Sequence, residues 1–169
     1  MSAETQATLL LKRQLQELQK KPLEGFSAGL VDDDNLFKWE LMIIGPPETF
    51  YEGGYFKAHL IFPKEYPQRP PKMTFVSEFW HPNVHKDGEV CISILHEPGE
   101  DKYGYEKAEE RWLPVHTVET ILLSVISMIS DPNDESPANV DAAKEWRNDY
   151  RGAFKKNVKR CVRKSQDNL

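Results

Sequence analysis

Apolar and polar positions follow a helical period at the start of this chain. Five leucines recur at helical spacing among lysine, arginine and glutamine residues over positions 8–18, and they are Leu9, Leu10, Leu11, Leu15 and Leu18. This pattern predicts an amphipathic first helix. Pro22 and Gly25 then mark its end.

The next part of the chain changes to short segments that are typical of β-strands. They are residues 27–31, 37–44, 55–62 and 72–76. Short spacers with turn-forming residues separate the first three, which favours an antiparallel meander. Pro67, Pro70 and Pro71 precede the fourth segment, and their fixed dihedral angles prevent a helix there. We therefore expect a sheet of about four strands.

The remaining chain is first irregular and then helical. Residues 77–114 show no sustained period, and irregular segments of this length in compact domains are usually functional or disordered. Apolar residues at intervals of three and four then predict a buried helix, and they are Val118, Ile121, Leu122, Val125, Ile126 and Ile129. Two further helices are predicted at residues 140–149 and 150–164. This order indicates an α+β fold in a single domain over residues 1–169.

Composition limits the classes of function. The chain has 169 residues, of which 39% are hydrophobic and 29% charged, as expected of one globular domain. A net charge of -5 argues against a general nucleic-acid-binding protein. No stretch approaches the ~20 apolar residues of a membrane-spanning helix, and the amino terminus lacks a signal-peptide pattern. We therefore expect a cytoplasmic location, with the nucleus as a second compartment.

The two cysteines have different surroundings. In a reducing compartment, thiols as far apart as those of Cys91 and Cys161 are expected to be free. Cys161 shares a predicted helix face with Phe154, Val158 and Val162, which favours a packing role. Cys91 follows a turn signal inside the irregular segment, an unusual place for a packing cysteine. A reactive thiol needs a special environment, so the neighbouring motifs decide its role.

Those motifs form an ordered series. They are Trp39-Glu40, Gly45-Pro46, Tyr51-Glu52-Gly53-Gly54, Phe62-Pro63, Tyr66-Pro67, Pro70-Pro71, His81-Pro82-Asn83, Cys91 and Asp131-Pro132-Asn133. In this series the chain resembles the ubiquitin-conjugating enzymes. The resemblance implies an amino-terminal helix, a four-stranded antiparallel sheet and three further helices, the same order that the periodicity predicts independently.

The resemblance also implies a chemistry. Cys91 would accept the carboxyl terminus of ubiquitin from the activating enzyme as a thioester and pass it to a lysine amine, for which a thiolate is needed. Asn83 would stabilise the oxyanion or position its loop, although asparagine after proline is also an ordinary turn residue. His81 would support the site structurally, with a general base as the less favoured reading. The position of His96 alone assigns it no role.

Near the acceptor lysine the chain departs from the family pattern. Aligned on the prolines of the 131–137 loop, Ser136 occupies a place that is often aspartate. Asp134, Glu135 or the acidic loop are candidates to replace that carboxylate near the incoming lysine, and a weaker effect on the pKa of the lysine stays open as well. The alternative is a solvated turn in which these residues act as caps.

An insertion at residues 96–110 separates Leu95 from Trp112 and resembles that of the G class of the family, in particular its first member. Its acidic residues are Glu97, Glu100, Asp101, Glu106, Glu109 and Glu110. The resemblance implies ubiquitin chains linked through lysine 48, which direct proteins to the proteasome. Clustered carboxylates would concentrate and orient a lysine-bearing acceptor. A solvated, flexible loop is the alternative.

The resemblance further implies protein partners. Lys12, Arg13, Gln68, Leu113 and Pro114 match the region that meets RING-type ligases, and the first helix also meets the activating enzyme. By themselves these residues read as ordinary surface. We expect no bound cofactor or metal, because no P-loop or metal-ligand cluster is present, and ATP would be used by the activating enzyme.

Three other functions stay open at this point. The first is a binding module without catalysis, although such relatives lack the cysteine. The second is a cysteine hydrolase, which would need a histidine near the thiol and a third group to orient it. His96 could serve as the histidine, but no third orienting group is evident in the sequence. The third is transfer of another ubiquitin-like modifier.

Overall fold

The computed structural model describes residues 2–99, 101–104, 106–167 and 169. The first helix, α1, is Ala3–Lys20 and begins before the leucine pattern does. Its start is fixed by Ser2, whose side chain accepts a hydrogen bond of 3.1 Å from the Thr5 amide. A polar capped turn carries no apolar period, so the pattern could not show it.

The strands form one antiparallel sheet, as predicted. They are β1 (Phe26–Leu30), β2 (Lys38–Ile44), β3 (Tyr55–Ile61) and β4 (Lys72–Phe75). They lie in the order β1-β2-β3-β4, each antiparallel to its neighbour. Alternate residues of β2, Trp39, Leu41 and Ile43, are fully buried, which places one face of the sheet against the core.

Three α-helices follow the irregular segment. They are α2 (Val118–Ser130), α3 (Val140–Asn148) and α4 (Lys155–Gln166). Within the described part of residues 77–114, the helical structure consists of two single 3-10 turns, Ser93–Leu95 and Ala108–Glu110. The α+β class and the order of elements are thereby confirmed.

The last helix differs from the prediction at its start. Residues 150–164 were expected to form one α-helix, but Tyr150–Phe154 form a wider π-helical turn before α4. The side chain of Asp149 accepts a hydrogen bond of 3.0 Å from the Ala153 amide, which stabilises this turn. The α-helical period is therefore interrupted by a local cap that periodicity does not detect.

A buried glutamine connects α1 to two distant parts of the chain. Gln14 Oε1 accepts hydrogen bonds from the Tyr66 hydroxyl at 3.1 Å and from the Val118 amide at 3.0 Å. The Trp112 indole donates to the Pro67 carbonyl at 2.8 Å. These bonds hold α1, the proline-rich loop and the start of α2 together. Among the described residues, no helix is long and apolar enough to cross a membrane.

We predict that Gln14→Leu lowers the free energy of unfolding by about 2 kcal/mol or more, because it leaves a buried amide and a buried hydroxyl without a partner. Tyr66→Phe removes only one of the two bonds, so we expect about 1 kcal/mol. Urea denaturation followed by circular dichroism measures both. Gln16→Leu, on the exposed side of the same helix, is the matched control. Equal midpoints for Gln14→Leu and Gln16→Leu would contradict the connecting role.

Candidate active site

Cys91 lies just beyond a tight turn that the sequence specifies. The turn is closed by a hydrogen bond of 2.8 Å from the Gly88 amide to the His85 carbonyl. Gly88 has a φ of 99°, and a side chain there would collide with the Phe75 carbonyl. The Cys91 amide then donates to the Asn83 carbonyl at 2.9 Å. The backbone thus fixes Cys91 beside the His81-Pro82-Asn83 motif.

The thiol of Cys91 is reachable from solvent. Its side chain is half-buried and lines two cavities, of about 420 Å³ and 550 Å³. Cys161 is fully buried in the core, and burial raises the pKa of its thiol to about 11. A neutral, enclosed thiol is inert. The structure therefore separates the two cysteines in the way the sequence predicts.

His81 is a structural anchor in this geometry. Its ring is fully buried, and burial lowers its pKa to about 4 despite the bond to a backbone carbonyl. Nδ1 accepts a hydrogen bond of 2.9 Å from the Asn83 amide, so neutral His81 carries its proton on Nε2, which lies 2.8 Å from the Met128 carbonyl. Both nitrogens are engaged, which supports the structural role and opposes the general-base reading.

The side chain of Asn83 is engaged with the loop that follows α2. Asn83 Nδ2 donates to the Asn133 carbonyl at 2.6 Å, and Oδ1 accepts from the Asn133 amide at 2.9 Å. The Pro82 carbonyl also accepts from the amides of Ala138 and Asn139. Asn83 is 4% exposed. Of the two predicted roles, this geometry favours positioning of the loop over stabilisation of an oxyanion.

The loop itself brings only part of the predicted set to Cys91. Ser136 lines the 420 Å³ cavity together with the thiol, and so do the acidic residues Asp131 and Glu135. Asp134 is instead 3.1 Å from Arg147 of α3 in an ion pair. Asp131 was part of the family series but was not singled out, because a carboxylate in a turn motif reads equally well as a cap.

The acidic residues of the insertion do not act as one cluster. Glu100 lies outside the described residues. Glu97 pairs with Arg69 at 2.8 Å, and Asp101 accepts hydrogen bonds from the amides of Tyr103 and Glu106. Glu109 and Glu110 are exposed on the second 3-10 turn. Part of the acidic sequence therefore folds the insertion, and part of it faces solvent.

Glu106 turns inward and orients a histidine toward the thiol. His96 Nε2 lies 3.5 Å from Cys91 Sγ, and His96 Nδ1 lies 2.9 Å from both carboxylate oxygens of Glu106. Ser93 Oγ donates to Glu106 at 2.6 Å. No third orienting group was evident in the sequence, and the structure places Glu106 in that position. Glu106 comes from an aperiodic part of the insertion, where sequence gives no indication of which side chain folds back.

The charges in this network favour an ionised pair. The hydrogen bond to Cys91, followed by the hydrogen bond and charge of Glu106, raises the pKa of His96 to about 9 against the effect of burial. Burial alone would raise the pKa of Glu106, but hydrogen bonds from His96 and Ser93 lower it overall. These contacts therefore favour the imidazolium form of His96 and the carboxylate form of Glu106.

The predicted partner residues lie on segments that the fold connects. Lys12 and Arg13 are exposed on α1, Gln68 and Pro114 are exposed, and Leu113 is half-buried. The Trp112 to Pro67 hydrogen bond brings the segments of Gln68 and Leu113 together. Gln14, the residue after Arg13 on α1, bonds Tyr66 and Val118 and so connects this helix to both segments.

The arrangement as a whole suits nucleophilic acyl transfer. It presents a reachable sulfur, a cationic donor within hydrogen-bonding distance and a cavity that leads to the sulfur. In the described part of the chain, no group of three His, Cys, Asp or Glu residues is placed to hold a metal ion.

Comparison with known proteins agrees with this chemistry. The pattern of the family described as ubiquitin-conjugating enzyme matches residues 10–162. A protein of Caenorhabditis elegans named probable ubiquitin-conjugating enzyme E2 7 is 67% identical over 162 residues, covering 96% of this chain and 98% of its own. The human ubiquitin-conjugating enzyme E2 G2 is 54% identical over 155 residues, covering 92% and 93%.

A solved structure agrees as well. The structure of human ubiquitin-conjugating enzyme E2 G1 is 63% identical, superposes with a TM-score of 0.67, and covers 78% of this chain and 99% of its own. The fold, the ordered motifs and these similarities together show that this chain belongs to the ubiquitin-conjugating enzyme family and is most similar in character to its G class.

Proposed function

We propose that this enzyme carries ubiquitin as a thioester on Cys91 and transfers it to a lysine amine together with a RING-type ligase. The observation that carries the proposal is the half-buried Cys91 thiol, which opens into two cavities while the other cysteine is enclosed. Two acyl transfers through one sulfur need a nucleophile that is reachable from the activating enzyme first and from an amine afterwards.

The 420 Å³ cavity suits the second transfer. Asp131, Glu135 and Ser136 line it together with Cys91. Carboxylates at this position would attract the ammonium of an incoming lysine and hold it near the thioester, which converts the encounter into an oriented approach. We therefore propose Glu135, one of the two expected candidates, and Asp131 for this role in place of Asp134, which pairs with Arg147.

Chain building is the finer part of the proposal. Glu109 and Glu110 are exposed at the end of the insertion and have room to meet a basic surface of a second ubiquitin. Attraction of this kind raises the local concentration of the acceptor and weakens with salt. We infer lysine-48-linked chains for proteasomal degradation, made in the cytoplasm and in the nucleus.

The proposed partners follow from the connected surface. A RING-type ligase would meet Lys12, Arg13, Gln68, Leu113 and Pro114, and the activating enzyme would meet the same helix, α1. ATP would be consumed upstream by the activating enzyme. The buried bonds of Gln14 and Trp112 make this surface rigid, which lowers the entropic cost of binding.

The Cys91, His96 and Glu106 arrangement also meets the geometric requirement of a cysteine hydrolase. Membership in the ubiquitin-conjugating enzyme family supports conjugation instead. The two functions differ in one observable: a conjugating enzyme accumulates the acyl adduct, and a hydrolase destroys it.

We predict that incubation with activating enzyme, ATP and ubiquitin gives an adduct that reducing agent removes on a denaturing gel. Cys91→Ala should abolish the adduct, and Cys91→Ser should replace it with an oxyester that resists reducing agent. Cys161→Ala is the control and should still load. An adduct that survives Cys91→Ala would contradict the assignment of the nucleophile, and loading of a different modifier in place of ubiquitin would contradict the cargo.

We predict that Asn83→Ala slows isopeptide formation by about tenfold or more while loading changes less, because the 131–137 loop loses both side-chain bonds that hold it. Hydrogen exchange at the Asn133 amide distinguishes the two roles of Asn83. Faster exchange in the variant supports loop positioning. Unchanged exchange with slow transfer would instead indicate an oxyanion donor.

We predict that the double variant Glu109→Gln, Glu110→Gln builds ubiquitin chains several-fold more slowly at low salt but loads at the wild-type rate, because the loss is one of acceptor attraction. Chain formation and single-turnover loading are measured at two salt concentrations. The variant leaves Glu106 intact, which a deletion of residues 98–110 would not. Equal loss of loading and chain building would argue against the proposal.

A further inference from the structure

The side chain of His96 lies between two groups that both favour its cation. Its Nε2 faces Cys91 Sγ at 3.5 Å, and its Nδ1 is 2.9 Å from each carboxylate oxygen of Glu106. Because a carboxylate only accepts hydrogen bonds, Nδ1 carries a proton. Glu106, a residue of the insertion, therefore orients the His96 ring toward the sulfur.

Glu106 is itself held in place from three directions. The Ser93 hydroxyl donates to it at 2.6 Å, and the Arg111 guanidinium lies 3.6 Å away. Its backbone amide donates to Asp101 at 2.9 Å. The Glu106 side chain is 17% exposed and the His96 side chain 32% exposed. Such a carboxylate is pre-organised, so little conformational entropy is lost when it orients the histidine.

Other charged groups face His96 from both sides. Arg111, Asp101, Asp131 and Glu135 line the 420 Å³ cavity with it, and Tyr103 is the further titratable group there. Arg69, Lys72, Glu89 and Glu97 line the 550 Å³ cavity, together with His85. Among the described residues that line these two cavities, Glu106 has its carboxylate oxygens within hydrogen-bonding distance of the His96 ring, and it adds to the hydrogen bond with Cys91 in favouring the cation.

We propose that His96 is a catalytic residue whose cation, oriented by Glu106 as a positioning residue, donates a hydrogen bond from Nε2 to Cys91 Sγ and stabilises its thiolate. This inference rests on the proposed function, because the thiolate is used first as the attacking group and then as the leaving group. The cation next to the sulfur is of the kind that makes a cysteine reactive, and the 3.5 Å distance from Nε2 to Sγ allows the hydrogen bond.

The loading step and the transfer step each conserve atoms, electrons and protons. In loading, the Sγ–H proton has passed to His96, Sγ forms a bond to the terminal carbonyl of ubiquitin, and the bond from that carbonyl to the sulfur of the activating enzyme breaks. The departing sulfur takes up a proton from water, so His96 keeps its Nε2–H through loading. In transfer, the neutral lysine nitrogen forms its bond to the carbonyl, the Sγ–C bond breaks with its electron pair on Sγ, and the lysine nitrogen loses a proton to water. The Nε2–H of His96 then stabilises the released thiolate.

Alkylation of the thiol tests the proposal without ubiquitin or the activating enzyme. Iodoacetamide is uncharged and reacts with the thiolate, and peptide mass spectrometry separates Cys91 from Cys161. We expect His96→Gln to slow alkylation of Cys91 at pH 7 by about tenfold, Glu106→Gln to slow it by less, and Glu106→Asp to restore most of the rate. Glu24→Gln, an exposed carboxylate in the turn before β1, is the charge-matched control and should change nothing.

A merely structural role predicts a different result. If His96 only anchors the insertion, alkylation of Cys91 in His96→Gln will be as fast as or faster than in the wild type at every pH from about 6 to 9, and the proposal fails. Urea midpoints of the variants, measured in parallel, separate a local effect from unfolding.

The protonation of His96 gives an independent readout. In the wild-type protein, we expect its Cε1–H resonance in NMR spectra to titrate near pH 9. Cys91→Ala and Glu106→Gln should each move the midpoint downward, because each removes a group that favours the cation. A wild-type midpoint at or below about 6.5, the ordinary value, would overturn the proposal even if alkylation were slow.

Failure of this inference and failure of the proposed function look different. Suppose that the wild-type protein loads on Cys91, and that His96→Gln is alkylated and discharges ubiquitin to free lysine at wild-type rates. Only the proposed role of His96 is then contradicted. If the wild-type protein does not load at all, the assignment of Cys91 to ubiquitin transfer falls, whatever the alkylation rates show.

Discussion

The active-site segment depends on the buried imidazole of His81. Residues 77–114 contain little regular structure, so side chains have to satisfy and fix the backbone that α-helices and strands fix elsewhere. His81 does this twice, with one nitrogen bonded to the Met128 carbonyl of α2 and the other to the Asn83 amide. Because burial keeps the ring neutral, each nitrogen has a defined role as donor or acceptor. The bonds made by Asn83 then depend on the position that His81 gives it.

From this anchor the site extends in two directions. Asn83 bonds Asn133 through its side chain and Cys91 through its carbonyl, so the thiol and the 131–137 loop share one support. On the other side, the insertion returns to Cys91 through His96 and Glu106. The site therefore uses two kinds of histidine: a neutral, buried one that holds the backbone and a cationic, partly exposed one that contacts the sulfur. Burial and charged neighbours decide which histidine is which.

The sequence predicts most of the fold because the fold depends on periodic burial. The four strands and α2 were located to within a few residues, since alternate or three-to-four spacing of apolar residues reports directly on contact with the core. The errors lie at local caps. Ser2 starts α1 before its leucines, and Asp149 widens the turn before α4. Hydrogen bonds from single polar side chains leave no period in the sequence.

The residues of the site also divide into those that the sequence could identify and those that it could not. Cys91, His81, Asn83 and Ser136 could be named because they stand in motifs of fixed spacing, although a motif alone did not decide whether Asn83 positions a loop or stabilises an oxyanion. The function of Glu106 could not be named. Its role arises because the insertion, which has no periodic pattern, folds back onto Cys91. Glu97, Glu109 and Glu110 belong to the same acidic insertion, but Glu97 pairs with Arg69 and the other two face solvent.

The insertion therefore combines two kinds of acidic residue that composition cannot distinguish. Asp101 and Glu106 are held by backbone amides and neighbouring side chains, where a carboxylate fixes geometry and charge beside the sulfur. Glu109 and Glu110 face solvent, where salt screens a carboxylate and it acts only as part of a diffuse field. An insertion with only the second kind would attract acceptors without affecting the thiol. An insertion with both kinds would couple acceptor recruitment to the reactivity of Cys91, and this coupling requires that the insertion be folded.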